Sequence, residues 1–210
     1  MVFFLWVFST IFVYAENIDP YDDGSQYAYG ENIGWLNFEP DIVDPNVGAT
    51  VTSEKLTGFI WAENIGWINL DPNDSDPNTG ITNDGAGNLS GFAWGENVGW
   101  INFDPNVPGD PNHYGVTIDI FGNFDGFAWG ENIGWLNFNS ADLYGYSVKA
   151  CKVNFIIYAR FAEQWLRSFC NAGNNFCDGA DLDYLGDVDW LDLRLFADQW
   201  LDYCPGDWLL

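Results

Sequence analysis

The chain has 210 residues, enough for one medium domain and a small second one, with 48 % hydrophobic and 19 % aromatic residues and a net charge of −25. From Glu16 to Asn139 there are twenty Asp and Glu and a single Lys or Arg, Lys55. That balance excludes nucleic acid and anionic membranes as partners, because both need a cationic surface.

Met1 to Ala15 is apolar apart from Ser9 and Thr10, and ends Val13-Tyr14-Ala15 before the polar Glu16. No Lys or Arg precedes the run. A run of 15 residues is shorter than the roughly 20 that span a bilayer, so residues 1–15 read as a signal peptide. The alternative is a buried N-terminal strand. The signal-peptide reading predicts an extracellular or cell-surface protein with no membrane insertion once the leader is cleaved.

Residues 20–140 carry one phrase four times: AYGENIGWLNF from Ala28, FIWAENIGWINL from Phe59, FAWGENVGWINF from Phe92 and FAWGENIGWLNF from Phe127. The steps between Trp35, Trp67, Trp100 and Trp135 are 32, 33 and 35 residues, the period of a copied supersecondary unit. In the last copy Phe127 to Trp129 and Trp135 to Phe138 are strand-like, and Gly130 to Gly134 between them has hairpin-turn chemistry. A hairpin centred on Asn132 pairs Trp129 with Trp135. The same symmetry pairs Trp61 with Trp67 and Trp94 with Trp100, and Tyr29 replaces the leading Trp in the first copy. A further strand is predicted ahead of the later hairpins, at 115–120 and 80–83. Loops with Asp44-Pro-Asn46, Asp76-Pro-Asn78 and Asp110-Pro-Asn112 join the units.

Alternation puts Phe92, Trp94, Trp100 and Asn102 on one hairpin face, and Ala93, Ile101 and Phe103 on the other. Both faces are apolar. Burial of both, with the aromatics as core, is the preferred reading. In the other, Trp61, Trp67, Trp94, Trp100, Trp129 and Trp135 form a partly open face that stacks on sugar rings. Whether the units build a sandwich, a solenoid or propeller-like blades stays open. The first copy lacks a leading strand, so closure between first and last copies is an option. Glu31, Glu63, Glu96 and Glu131 recur in the turns, and equivalent positions argue against the asymmetry that acid–base catalysis needs.

After Asn139 the pattern becomes helical. Residues 153–166 and 188–201 match at an offset of 35, with Phe161-Ala-x-x-Trp165-Leu166 and Phe196-Ala-x-x-Trp200-Leu201 on one helical face each. Cys151, Cys170, Cys177 and Cys204 allow three disulfide pairings in an exported chain. Cys170–Cys177, a short loop, and Cys151–Cys204, closing the ends of the last domain, are the favoured pair. Asp181, Asp183, Asp189 and Asp192 fall at positions one, three, nine and twelve of a loop with Gly186 at six, the oxygen-ligand spacing of an EF-hand type calcium loop.

This duplicated loop and helix, over residues 145–205, resembles a degenerate dockerin type I domain. The resemblance implies calcium held by Asp181, Asp183, Asp189, Asp192 and the carbonyl of Asp187. Leu185 stands where the family has an Asp or Asn, and the first copy keeps only Asn154, so one ion at most is expected. The alternative is an acidic helix-capping loop with no metal. The resemblance also implies a cohesin-like partner, with Ala159, Arg160, Arg194 and Leu195 at the recognition positions. Residues 20–140 are similar to a Trp-rich GFAWGENIGWINF-type β repeat of exported bacterial proteins.

The sequence therefore predicts a mostly β protein: an antiparallel repeat domain of four hairpin units, then a small helical dockerin-like domain. Its expected role is that of a non-catalytic structural or adhesive surface protein. A carbohydrate-binding protein using the Trp face is the alternative, with a polysaccharide as partner, and a glycoside hydrolase component is the weakest reading.

Overall fold

A computed structural model describes residues 17–40, 47–72, 79–106, 112–140 and 145–204. The signal-peptide segment and the Asp-Pro-Asn loops, apart from Asn112, lie outside them. Four hairpins dominate: β1 (Tyr27–Gly30) with β2 (Gly34–Asn37), β4 (Lys55–Ala62) with β5 (Gly66–Asn69), β7 (Leu89–Gly95) with β8 (Gly99–Asn102), and β11 (Phe127–Gly130) with β12 (Gly134–Asn137). Trp61 pairs with Trp67, Trp94 with Trp100, Trp129 with Trp135 and Tyr29 with Trp35. Neighbouring hairpins join edge to edge: β2 to β4, β5 to β7, β8 to β11, and β12 back to β1.

All these pairings are antiparallel, so the eight strands close a barrel. It is none of the sandwich, solenoid or propeller-like arrangements. Closure leaves these strands no free edge for association. The inner wall explains the narrow bore. Across each junction an aliphatic residue faces a small one: Leu36 with Ala62, Ile68 with Gly95, Ile101 with Gly130, and Leu136 with Gly30. A Cβ on Gly30 would sit 2.6 Å from Leu136 Cδ2. The turn residues Ile33, Ile65, Val98 and Ile133 fold in behind these positions and pack on the core. An eight-stranded barrel has an interior just wide enough for side chains to fill.

The other end widens through leading strands: β3 (Gly48–Val51), β6 (Gly80–Asn83) and β9 (Thr117–Ile118), the last paired with β10 (Phe124–Asp125). Each lies between its own hairpin and the preceding unit, as β6 does between β7 and β4. The strand predicted over 115–120 is shorter, at Thr117–Ile118. Beneath them Phe38, Phe103, Phe124 and Phe138 form the aromatic centre, with ring centroids 5.4 to 6.1 Å apart.

The first unit receives its leading strand from after the last. Ser147 to Ala150 bridge Asn139, Gln26, Asn123 and Ile18. Phe124 N donates to Val148 O and Lys149 N to Ser25 O, at 2.9 and 2.8 Å. By these bonds Ser147-Val-Lys-Ala150 occupies the place of Gly115-Val-Thr-Ile118. Residues 147–150, assigned from sequence to the helical region, thus complete the barrel.

The helical region has α1 (Phe155–Glu163), a 3-10 turn at Ala172–Asn174, the short α2 (Asn175–Asp178) and α3 (Trp190–Asp198). The 35-residue offset appears as internal symmetry. Asn154 caps α1 and Asp189 caps α3. Leu166 and Leu201, at φ 65° and 66°, leave the helices in the left-handed region. Leu166 N donates to Val188 O and Leu201 N to Val153 O, at 3.0 and 2.8 Å, so each helix exit is tied to the other's entry. Phe161 and Phe196 pack at 5.2 Å, whereas Trp165 and Trp200 stay at the surface. The disulfides are Cys151–Cys204 and Cys170–Cys177, and they fit an oxidising, extracellular environment.

Candidate functional site

Strand alternation turns the tryptophans outward. Ala28, Ile60, Ala93 and Ala128 are buried, while Trp35, Trp61, Trp67, Trp100, Trp129 and Trp135 are exposed, Trp67 at 45 % and Trp100 at 46 %. Burial of both faces therefore does not hold. The bore is already full, so rings of this size fit only outside. They do not lie loose. Trp61 meets Trp67 edge to face at 4.9 Å and Trp94 meets Trp100 at 4.7 Å, contacts of about 0.5–1.5 kcal/mol beyond simple burial.

The outer belt is not uniform. Tyr114 covers Trp135 at 5.5 Å and Tyr146 covers Trp35 at 5.2 Å. Each tyrosine immediately precedes a leading strand. In the second unit that position is Val47, which is too small to reach across. A groove of about 670 Å³ opens there, lined by Val47, Phe59, Trp61, Trp67, Trp94, Asn69, Glu96 and Asn97, with Gly66. It spans the junction of the second and third hairpins, where Asn69 pairs with Trp94.

Of the six tryptophans named from sequence, Trp61, Trp67 and Trp94 line this groove. Trp100, Trp129 and Trp135 lie elsewhere on the belt. Sequence reasoning missed Phe59 and Asn69. The signal was present, since Phe59 stands two residues before Trp61 and shares its face. It also missed Val47, legible only by comparison with Tyr114 and Tyr146.

The turns at the narrow end are stitched together. Asn32 Nδ2 donates to Ile133 O at 3.0 Å, Asn132 Nδ2 to Val98 O at 2.9 Å, and Asn97 Nδ2 to Ile65 O at 2.9 Å. Between the second and first hairpins, Glu63 Oε2 accepts from Trp35 N at 3.4 Å. The four turn glutamates are exposed at equivalent positions. A second Asn, at Asn37, Asn69, Asn102 and Asn137, ends each hairpin by accepting from the backbone N two residues on, at 2.8 to 3.0 Å.

A second site is the acidic loop. Carboxylate oxygens of Asp181, Asp183 and Asp192 lie within 4.8 Å of one another. Gly186, at φ 99°, makes the sharp turn. Asp181 accepts from Leu185 N and Gly186 N, and Asp192 from Leu182 N and Asp189 N. Burial, with the charges of Asp192 and Asp183, pushes the Asp181 carboxyl above its usual range, against the Gly186 hydrogen bond. Asp189 caps α3 through Leu191 N at 2.7 Å and its carboxylate lies outside the cluster; Asp187 enters the expected ligand set only through its main-chain carbonyl. Leu185 is exposed and offers no side-chain oxygen. Three carboxylates this close could hold a metal ion. In the first copy Ile157 is buried where Asp192 stands in the second.

Ala159, Arg160 and Arg194 are exposed and Leu195 is half-buried. Phe155, Ile156, Trp190 and Leu193 add an exposed apolar surface to α1 and α3. Comparison with protein-family models, curated proteins and solved structures finds no match to this chain.

Proposed function

We propose that this is an exported, non-catalytic adhesive protein whose barrel binds polysaccharide through its outward aromatic belt. The observation that carries the reading is the open groove with Phe59, Trp61, Trp67 and Trp94 on its walls. Flat rings stack on sugar faces, and Asn69, Asn97 and Glu96 beside them offer hydrogen bonds to hydroxyl groups. The turn glutamates repeat at equivalent, exposed positions, which supports a non-catalytic role, since acid–base catalysis needs two carboxylates in unlike environments.

The helical region is the attachment module of this reading. One calcium bound by Asp181, Asp183 and Asp192 would neutralise charges packed within 4.8 Å. The exposed apolar residues of α1 and α3 support docking to a cohesin-like partner, since such patches on soluble proteins mark interaction surfaces. The second reading, a spacer with no ligand of its own, is favoured by the closed, edge-free barrel.

The test is a glycan array followed by titration of the hits, monitored by tryptophan fluorescence. Binding that Trp61→Ala and Trp94→Ala each weaken at least about tenfold, on the scale of 1–3 kcal/mol for a lost stacking ring, supports the first reading. No glycan binding by the folded protein leaves the spacer.

Calorimetry of the full chain with calcium tests the attachment module. Saturable uptake of one ion is expected, abolished in Asp181→Ala/Asp192→Ala, with a melting temperature that rises with calcium concentration. An unchanged melting temperature in chelator and in calcium would reject the metal.

A further inference from the structure

The groove between the second and third hairpins combines aromatic walls with a carboxylate in a strongly acidic protein. Three observations point the same way. First, edge-to-face tryptophan pairs present the electron-rich ring faces that attract cations. Second, Glu96 lies in the groove wall beside Trp94. Third, the four hairpins and the stretches between them offer almost no competing cation. Lys55 is the only Lys or Arg between Glu16 and Asn139, and its Nζ is held by Asp71 at 2.7 Å.

A strongly acidic protein repels uronic and sulfated polymers at long range and concentrates cationic ones in its clefts. Aromatic walls with one carboxylate suit a saccharide that carries both a flat apolar face and an ammonium group. Resting on the glycan-binding reading of the groove, we infer that its ligand is an amine-bearing polysaccharide, a polymer of 2-amino-2-deoxy sugars with free amino groups. The tryptophans take the sugar faces and Glu96 takes the ammonium group. Val47 is the position that admits the ligand, because a tyrosine there would cover the groove as Tyr146 covers Trp35 and Tyr114 covers Trp135.

The test titrates the full chain, in mildly acidic buffer, with glucosamine and N-acetylglucosamine oligomers of equal length and with a uronic acid oligomer. The glucosamine oligomer is expected to bind tightest and the uronic acid oligomer not at all. High salt should shrink the preference for the free amine. In Glu96→Gln the ratio of the two affinities is expected to fall about 2- to 5-fold, the scale of one exposed charge pair. Val47→Tyr should abolish binding of both while the circular dichroism of the barrel is kept. Equal affinity for acetylated and free-amine oligomers would overturn the charge assignment and leave a neutral glycan site standing. Undiminished binding in Val47→Tyr would move the ligand to another part of the belt. Absence of binding to every oligomer would overturn the groove reading and this inference together.

Discussion

Single residues hold this fold at places where only one residue type works. Gly58, Gly91 and Gly126 precede the outward Phe of their hairpins at φ 94°, 97° and 92°. A Cβ there would fall 2.0, 2.1 and 2.3 Å from the carbonyl oxygens of Gly48, Gly80 and Gly115. The bulky neighbour is backbone and cannot give way. Gly91→Ala is therefore expected to cost about 2–3 kcal/mol, the joint scale of left-handed strain and a core clash. Urea unfolding measures it, and a loss below half that size would mean the strand shifts to absorb the methyl group. Val47 works in the opposite sense, since it is small where two of its equivalents, Tyr114 and Tyr146, cover their tryptophans, and Thr79 in the third unit is small as well.

Among the elements, the segment 147–150 matters most. It carries the hydrogen bonds that the leading strand of the first unit would otherwise make. A chain ending at residue 140 would leave Gln26, Asn123 and Phe124 without these partners and would open the ring at the wide end. Cooperative thermal unfolding is expected for the full chain and a broad, low-temperature transition for residues 17–140. A sharp transition in both would show that the eight hairpin strands suffice. The converse holds for α1 and α3. Their reciprocal bonds and the Phe161–Phe196 contact lie within residues 153–201.

At the scale of the whole molecule, the last described residues are tied back onto the barrel. Cys204 is bonded to Cys151, one residue after the closing segment. Tyr203 is buried with the barrel core, and Asn83 Nδ2 of β6 donates to its hydroxyl at 3.1 Å. Tyr21 lies against both Lys149 of the closing segment and Arg160 of α1, at 4.9 and 5.1 Å. Burial pushes the Tyr203 phenol up to about 12, with the Asn83 bond opposing and Asp202 adding. An unfolded tyrosine loses its proton nearer 10, so between these values the unfolded chain binds fewer protons than the folded one. Stability should then fall as pH rises through that window, by about 2–3 kcal/mol in total. Tyr203→Phe should flatten the decline, as followed by denaturant midpoints at alkaline pH. An equally steep decline in the variant would assign it to other groups.

Local pattern made the hairpins legible, because each turn, strand pair and Trp–Trp register lies within a dozen neighbouring residues. The Cys170–Cys177 disulfide and the Asp181 to Asp192 loop were legible from spacing for the same reason, whereas Cys151–Cys204 joins residues 53 positions apart and is favoured from sequence only as one of three possible pairings. The closing segment escaped notice because Ser147-Val-Lys-Ala150 replaces the glycine and threonine of its equivalents. Its role rests on bonds that also reach residues more than 120 positions away, such as Gln26. The faces were the other gap. Alternation separates two apolar sets, but hydrophobicity alone does not say which set is enclosed. Volume decides it. The ring of eight strands is already filled, by glycine, alanine and aliphatic side chains at one end and by four phenylalanines at the other, and the tryptophans are thereby left outside.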